Sequence, residues 1–484
     1  MKNKTIILGA SGYVGLRLSK KLKKDNHELH LFNRNRNKIA WIESDTVTAY
    51  DIEFDEKNRA ALIDIFKDAD TLYYLIHSMS EGNAEFEHKD IKLAKLIAEI
   101  SKESGVKKIV YLGGLGNSEE KLSSHLQSRQ DTGRVLAKYF DNVKEYRAGI
   151  IIGAGSSSFE IIRTLATKLP FIPVFWAHEG LCQPVFIDDV ILLLKNEKFN
   201  THIDNKILEI GCDTQMTYAN LVKKYAQEIL DRPLRIVRFQ FLEKIITPKI
   251  IGRIISSMTG QPKELVTPLI YGVKNDAIVT KKEKVKKMVS LEIALKLAAK
   301  RDRSGQILSV WDFPTNLSHL KEVEEKIFST KEKEGLLYEE VHTLIKSPTK
   351  IFNEIQTIGG AKGYWSAPIL WKIRGYIDRI FGGLGINRHY KKADRVLHIG
   401  DRIDFWTLEY IKNTNEEKVL RLRSEMKTPG EAWLQFSIIG KEFYLRAFFE
   451  PSGIFGYLYW YSLYPIHKFI FKQMVKNIIK KDSY

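Results

Sequence analysis

The sequence predicts an α/β protein: a doubly wound parallel sheet, followed by a separate α+β domain with an antiparallel sheet and a long C-terminal helix. Three observations carry this. A buried-strand run, TIIL at 5–8, leads straight into a glycine turn, GASGYVG at 9–15. Strand runs then alternate with helical stretches until about residue 300. Beyond that point the runs alternate apolar with polar residues, are separated by hairpin-type turns, and end in one long helical stretch.

With 484 residues the chain is too long for one ordinary domain. The pattern places a nucleotide-binding domain at 1–300, a linker at 301–335 and a second domain at 336–484. Hydrophobic residues make up 44% of the chain, enough for sizeable cores and against a disordered protein. The two cysteines, Cys182 and Cys212, form no C-x-x-C, so neither a disulfide framework nor a zinc site is expected, and a reducing cytoplasm fits. The N-terminal apolar run is too short for a signal peptide. A formal charge of +17 points to nucleic acid, an anionic membrane surface, phosphate-bearing ligands or a lysine-rich solvated surface. No zinc-finger spacing or basic zipper accompanies it, which argues against nucleic acid.

After the glycine turn, Leu16, Leu18 and Leu22 mark a helix, and ELHLF at 28–32 is the next strand. Strand, glycine loop, helix, strand is the βαβ unit of a Rossmann-type dinucleotide site. Gly9 permits the sharp turn, Gly12 lets the backbone approach a pyrophosphate, and Gly15 lets helix and sheet pack closely. The amides from Ser11 to Val14 then point at the phosphates. NAD sites usually carry a carboxylate at the end of the second strand. Here the run is FNRNRNK, with Asn33, Arg34 and Arg36, which favours the 2′-phosphate of NADP(H) while leaving NAD(H) open.

Further strands are expected in DADTLYYLIHSM (68–79), KKIVYLGGLG (107–116) and DNVKEYRAGIIIGAG (141–155), and a helix capped by Asp188 or Asp189 in QPVFIDDVILLL (183–194). IHSM, YLGGLG, the SRQ segment and RAGIIIGAGSSSFE, with GASGYVG before them, resemble the atypical, extended-type short-chain dehydrogenase/reductases. More closely, they resemble a bacterial NAD(P)H-binding subgroup in which an uncharacterised second domain follows. The resemblance implies that Gly9, Ser11, Gly12, Tyr13, Val14 and Gly15 wrap the pyrophosphate. It places Asn33 and Arg34 at the adenosine ribose, Asp51 and Ile52 by the adenine, and Leu75, Ile76 and His77 along the middle of the cofactor. Gly113 and Gly114 would lie beside the nicotinamide, with Ala148, Gly149 and Ile150 on its far side.

The sequence departs from that family where proton transfer would occur. Gly113 and Gly114 stand where the catalytic serine would follow its strand, and His125 and Arg129 replace the Tyr and Lys of the Tyr-x-x-x-Lys pair. That pair needs a phenol whose pKa an ammonium pulls down. His125 would be a general acid with a pKa near neutral, a ligand-positioning group or a plain surface histidine. Arg129 would hold the nicotinamide ribose or be a solvated helix residue.

In the second half, YEEVHTLIKSP (338–348) reads as a strand and SPTKIFNEIQTIGG (347–360) as a short helix with Ser347 at its N-cap and Pro348 at its first position. RVLHIG, IDFWTLEYIKN, KVLRLRSEM, EAWLQFSIIG and KEFYLRAFFEP read as strands, and the last stretch as a long helix. This order resembles a helix-grip, START-like domain, which implies an apolar cavity beneath the last helix. From Pro451 to Ile466 no residue is charged. Those residues rise only about 24 Å as a helix, short of the ~30 Å hydrocarbon slab. The leading expectation is a helix buried on its sheet, with peripheral membrane contact as the alternative and spanning the least favoured. The reading as a whole is an NADP(H)-binding reductase acting on an apolar carbonyl or quinone-like compound. Its rivals are a non-catalytic cofactor sensor or scaffold and a lipid-handling peripheral membrane protein.

Overall fold

A computed structural model describes residues 3–25, 27–34, 39, 42–76, 84–116, 122–176, 178–196, 205–259, 261–280, 288–303, 337–359, 363–380, 397, 399, 401–426 and 428–480. The chain divides into two compact units, 1–311 and 312–484. The expected linker, 301–335, falls almost wholly outside the described residues, as do His77, Arg36 and most of RVLHIG.

The first unit runs β1 (Lys4–Leu8), α1 (Tyr13–Lys23), β2 (Glu28–Phe32), β3 (Val47–Tyr50), α2 (Arg59–Phe66), β4 (Thr71–Tyr74), α3 (Ala84–Glu103), β5 (Ile109–Gly114), α4 (Ser124–Tyr139), β6 (Val143–Ala148), α5 (Ser157–Lys168), α6 (Ile187–Asn196), β7 (Lys206–Ile210), α7 (Tyr218–Leu230), α8 (Pro248–Thr259), α9 (Lys263–Gly272) and α10 (Leu291–Arg303). Seven of its strands form one sheet in the order β7-β6-β5-β4-β1-β2-β3, every neighbouring pair parallel. Because successive side chains on a strand face opposite ways, β1 feeds two cores. Ile6 and Leu8 pack with Leu62, Phe66, Ile97 and Leu136 from α2, α3 and α4. Ile7 packs with Leu16, Leu18, Val190 and Leu194 from α1 and α6 on the other face. Burial on both faces explains the near-continuous apolar runs of these strands. The order reverses between β1 and β4, which opens a crevice at the carboxyl ends of those strands.

Asp188 and Asp189 lie inside the first turn of α6, which begins at Ile187, so neither caps it. The Asp189 carboxylate instead accepts from the Val289 amide at 2.8 Å, tying a distant segment to the helix.

The second unit runs β8 (Leu337–Leu344), α11 (Pro348–Ile355), α12 (Pro368–Ile380), β9 (Arg402–Ile403), β10 (Trp406–Asn413), β11 (Glu417–Ser424), β12 (Gly430–Ile439), β13 (Glu442–Pro451) and α13 (Gly453–Ile479). Its six strands form an antiparallel sheet in the order β8-β13-β12-β11-β10-β9. Leu434, Phe436 and Leu445 from the sheet meet Ile351 and Phe352 of α11 and Ile470, Phe471, Met474 and Ile478 of α13. The expectation of a wholly buried final helix fails. The second half of α13 lies on the sheet; in its first half Trp460 stacks on Phe449 of β13 and Gly456 is buried, but most of the other apolar side chains are exposed. The apolar segment offers all its sides, and only one stripe finds a partner. Pro465 sits inside the helix between the two halves. Among the described residues no helix is long and apolar enough to cross a membrane.

Candidate functional site

The crevice begins at the glycine loop. Gly9 has φ +79°, and a Cβ there would lie 2.8 Å from the Leu75 carbonyl oxygen, so both the backbone and the space demand glycine. A Cβ on Gly15 would press into the Gly9 carbonyl. The Gly9 and Ala10 amides donate to Phe32 O at 3.1 Å, and Gly12 N donates to Gly9 O at 3.0 Å, which fixes the turn. Gly12 is the N-cap of α1. It offers no side-chain cap, and the first turn holds no acidic residue. The amides of that turn have no partner within the helix by construction, and with the helix dipole they form a cradle for an anion. Ser11 Oγ donates to Asn33 Oδ1 at 2.8 Å, and the Asn33 amide donates to Tyr50 O at 3.0 Å. One asparagine thus joins the loop, the end of β2 and the end of β3. Arg34 beside it is exposed, Asp51 is exposed and Ile52 is half-buried at the same edge. Leu75 and Ile76 close on Gly9 from β4. The structure therefore brings Gly9, Ser11, Gly12, Asn33, Leu75 and Ile76 together at the switch point. Tyr13 turns its ring under Arg17, whose guanidinium carbon lies 3.8 Å from the ring centroid, and its hydroxyl towards Gly153.

Further along the strand ends, Gly113 and Gly114 close β5 and Ala148 closes β6. Arg129 of α4 lies against Gly114 and donates through Nη2 to Leu112 O at 2.8 Å. Its Nε is buried without a hydrogen-bond partner among the described residues. Tyr111 donates to the Arg129 carbonyl at 2.8 Å, which holds that turn of α4 on the sheet. His125, one turn earlier, does not have the near-neutral pKa that the general-acid alternative requires. Burial among apolar side chains, and then the Arg129 charge, push it down to about 3. It is a neutral imidazole at ordinary pH. The one Tyr-x-x-x-Lys spacing in the chain, Tyr464 to Lys468, lies on α13 of the second unit.

His125, Arg129, Ala148, Gly149 and Ile150 border a cavity of about 340 Å³. Its other walls are almost wholly apolar: Ile161, Ile162 and Leu165 of α5, the 172–176 strand region, and Ile250, Ile251, Ile254, Ile255 and Met258 of α8. One acid, Glu179, reaches it; this carboxylate accepts from Ala219 N at 3.3 Å and faces Arg238 at 3.5 Å. The sequence reading missed this wall. Its signal was present, since Ile250, Ile251, Ile254 and Ile255 in IIGRIISSM fall on one broad apolar face of a helix. Glu145 was missed as well. It is buried on β6, paired with Arg147 at 2.7 Å, and its carboxyl fills the space that the absent side chains of Gly113 and Gly133 leave. Desolvation raises its pKa, and Arg147 and Arg129 pull it back. The glycine at 113 therefore makes room for a carboxylate beneath the site. Among the described residues no cluster of His, Cys, Asp and Glu is arranged to hold a metal.

An open parallel sheet with an uncapped glycine-loop helix at its switch point defines a dinucleotide-binding domain. Consistent with that geometry, residues 9–150 match the protein family described as NAD(P)H-binding, and the first unit contains an NAD(P)H-binding domain. Residues 334–474 match a family described as a protein of unknown function, DUF2867. Among solved structures the chain is similar to a triphenylmethane reductase of Citrobacter sp., with 16% identity and a TM-score of 0.48, covering 61% of this chain and 99% of that one. It is also similar to a UDP-glucose 4-epimerase of Thermotoga maritima bound to UDP-glucose, with 16% identity, a TM-score of 0.44 and coverage of 62% and 98%. A third is a UDP-glucuronic acid 4-epimerase of Bacillus cereus in complex with NAD, with 12% identity, a TM-score of 0.41 and coverage of 55% and 99%. No curated protein matches the chain.

Proposed function

We propose that the first unit is an NADP(H)-dependent reductase of the atypical short-chain dehydrogenase/reductase type, and that its acceptor is an apolar quinone-like compound. The observation that carries this reading is the apolar cavity of about 340 Å³ against Ala148, Gly149 and Ile150, beside the expected nicotinamide position. The bound reduced nicotinamide supplies a hydride. Gly9, Ser11, Gly12, Val14 and Gly15 hold its diphosphate on main-chain amides, and Arg34 meets the 2′-phosphate. The isoleucine wall excludes water. Arg129, at the cavity wall, offers a fixed positive charge to an oxygen that gains negative charge.

The proton separates quinones from simple carbonyls. Neutral His125 can donate a hydrogen bond but carries no spare proton, and among the described residues no serine–tyrosine–lysine set stands at the strand ends. Hydride added to an aldehyde or ketone leaves a strongly basic alkoxide that needs a proton at once. Hydride added to a quinone leaves a phenol-type oxyanion with a conjugate pKa of about 10, as for tyrosine. Such an anion can rest on Arg129 until it leaves the cavity and solvent protonates it. The same lack of a proton donor favours the second reading, a cofactor sensor without turnover. We read the second unit as a helix-grip, START-like domain, supported by its antiparallel sheet and its long last helix.

The test is NADPH oxidation with a panel of quinones and aldehydes. Quinones should turn over and aldehydes should not, and Arg129→Ala should cut kcat/KM by about tenfold to a hundredfold, the size of a lost charge-stabilising donor. Tight NADPH binding with no acceptor turned over, indifferent to Arg129→Ala and His125→Phe, would establish the sensor instead. Arg34→Ala should weaken NADPH by about tenfold and leave NADH unchanged, as removal of one phosphate contact requires.

A further inference from the structure

The second unit leaves a broad apolar face uncovered on two neighbouring helices. On α13, Phe455 is 75% exposed and Ile454 74%, and Leu458 and Tyr461 stand beside them; on α12, Ile369 is 69% exposed and Tyr376 67%. Arg374 links the two helices, donating to Tyr459 Oη at 2.9 Å and meeting His467 Nε2 at 3.2 Å. Side chains of this size expose on the order of 100 Å² each at such fractions. The face therefore reaches the upper end of the about 300–600 Å² of the largest apolar patch on a typical monomer.

Charge narrows the occupant. Lys372, Lys468, Lys472 and Lys476 of the two helices reach solvent, while their single carboxylate, Asp378, is buried. A second copy of this face would bring unpaired cations against cations. An anionic lipid surface offers hydrocarbon to the isoleucines and phenylalanine, a polar boundary to the tyrosines and phosphate to the lysines. The uncharged stretch Pro451–Ile466 is too short to span a bilayer, and no described helix is long and apolar enough to do so.

We infer that α12 and the first half of α13 dock this protein on the surface of an anionic bilayer, lying in the plane of the headgroup–acyl boundary. The inference stands independently of the reductase reading.

The experiment is flotation of the full chain with vesicles containing phosphatidylglycerol, compared with pure phosphatidylcholine. The protein should float with the anionic vesicles, float less with the neutral ones, and be released as salt rises. The double variant Phe455→Ser/Leu458→Ser should lose about tenfold or more of the binding. Both positions are exposed, so its thermal unfolding and NADPH affinity should equal those of the unmodified protein. The inference is overturned if the unmodified protein stays with neither vesicle, or if the variant floats as well as its parent. It is equally overturned if the chain runs as a dimer that the variant converts to monomer without a change in flotation, because the face would then join copies of the chain.

Discussion

Burial moves His125 and Glu339 in opposite directions, and the two give opposite pH signatures. His125 is held neutral down to about pH 3, against about 6.5 for an unfolded histidine. Between those values the unfolded chain binds the extra proton, so this contribution to stability is complete above about 6.5 and is lost as pH falls towards 3. The pH profile of quinone reduction should accordingly show no inflection from His125 between about 5 and 8, and a histidine-like step there would refute the assignment. Glu339 is buried with neither carboxylate oxygen hydrogen-bonded among the described residues, and burial lifts it to about 7 against the pull of Lys468 and Lys472. Its protonated form suits the fold, so the second unit loses stability as pH rises from about 4.3 through 7. Glu339→Gln should raise the melting temperature at pH 8 and leave it nearly unchanged at pH 5. Gly9→Ala belongs at this scale as well. A methyl group at φ +79° that also meets the Leu75 carbonyl costs at least about 1–2 kcal/mol and deforms the turn, so NADPH affinity measured by titration calorimetry should drop by more than tenfold.

At the scale of the element, α8 is the replaceable wall. Ile251→Trp should fill part of the cavity, raising KM for a bulky quinone while the NADPH dissociation constant stays put. An unchanged KM would place the acceptor elsewhere. The legibility of each element follows from the range of the forces that shape it. The glycine loop was readable because its turn, its phosphate cradle and its helix start lie within a few residues, from Gly9 to Gly15. The strands of the second unit were readable because alternation and turn residues are local too. Glu145 was not, because what makes it notable is Gly133 on another element. The exposure of α13 was not readable either. An apolar run looks the same whether its partner is a sheet or absent, and only packing showed that the stripe of Ile470, Met474 and Ile478 finds the sheet while Phe455 and Leu458 do not. The neutral state of His125 likewise depends on side chains brought together by the fold.

At the scale of the molecule, the described apolar clusters segregate by unit: three belong to the first and one to the second. Calorimetry should therefore resolve two unfolding steps, and NADPH should raise only one of them. At a hundred times its dissociation constant the cofactor would add about 2.7 kcal/mol to that unit. A single step that shifts as a whole would show the units to be thermodynamically one. The cavity beside Ile150 and Ile254 has a further consequence. It is a piece of interior that the chain by itself leaves unfinished, and whatever molecule enters completes it in the same way that folding completed the rest. Occupying it should carry the calorimetric mark of chain collapse, a negative heat-capacity change. Its enthalpy should thus grow more favourable as the solution warms.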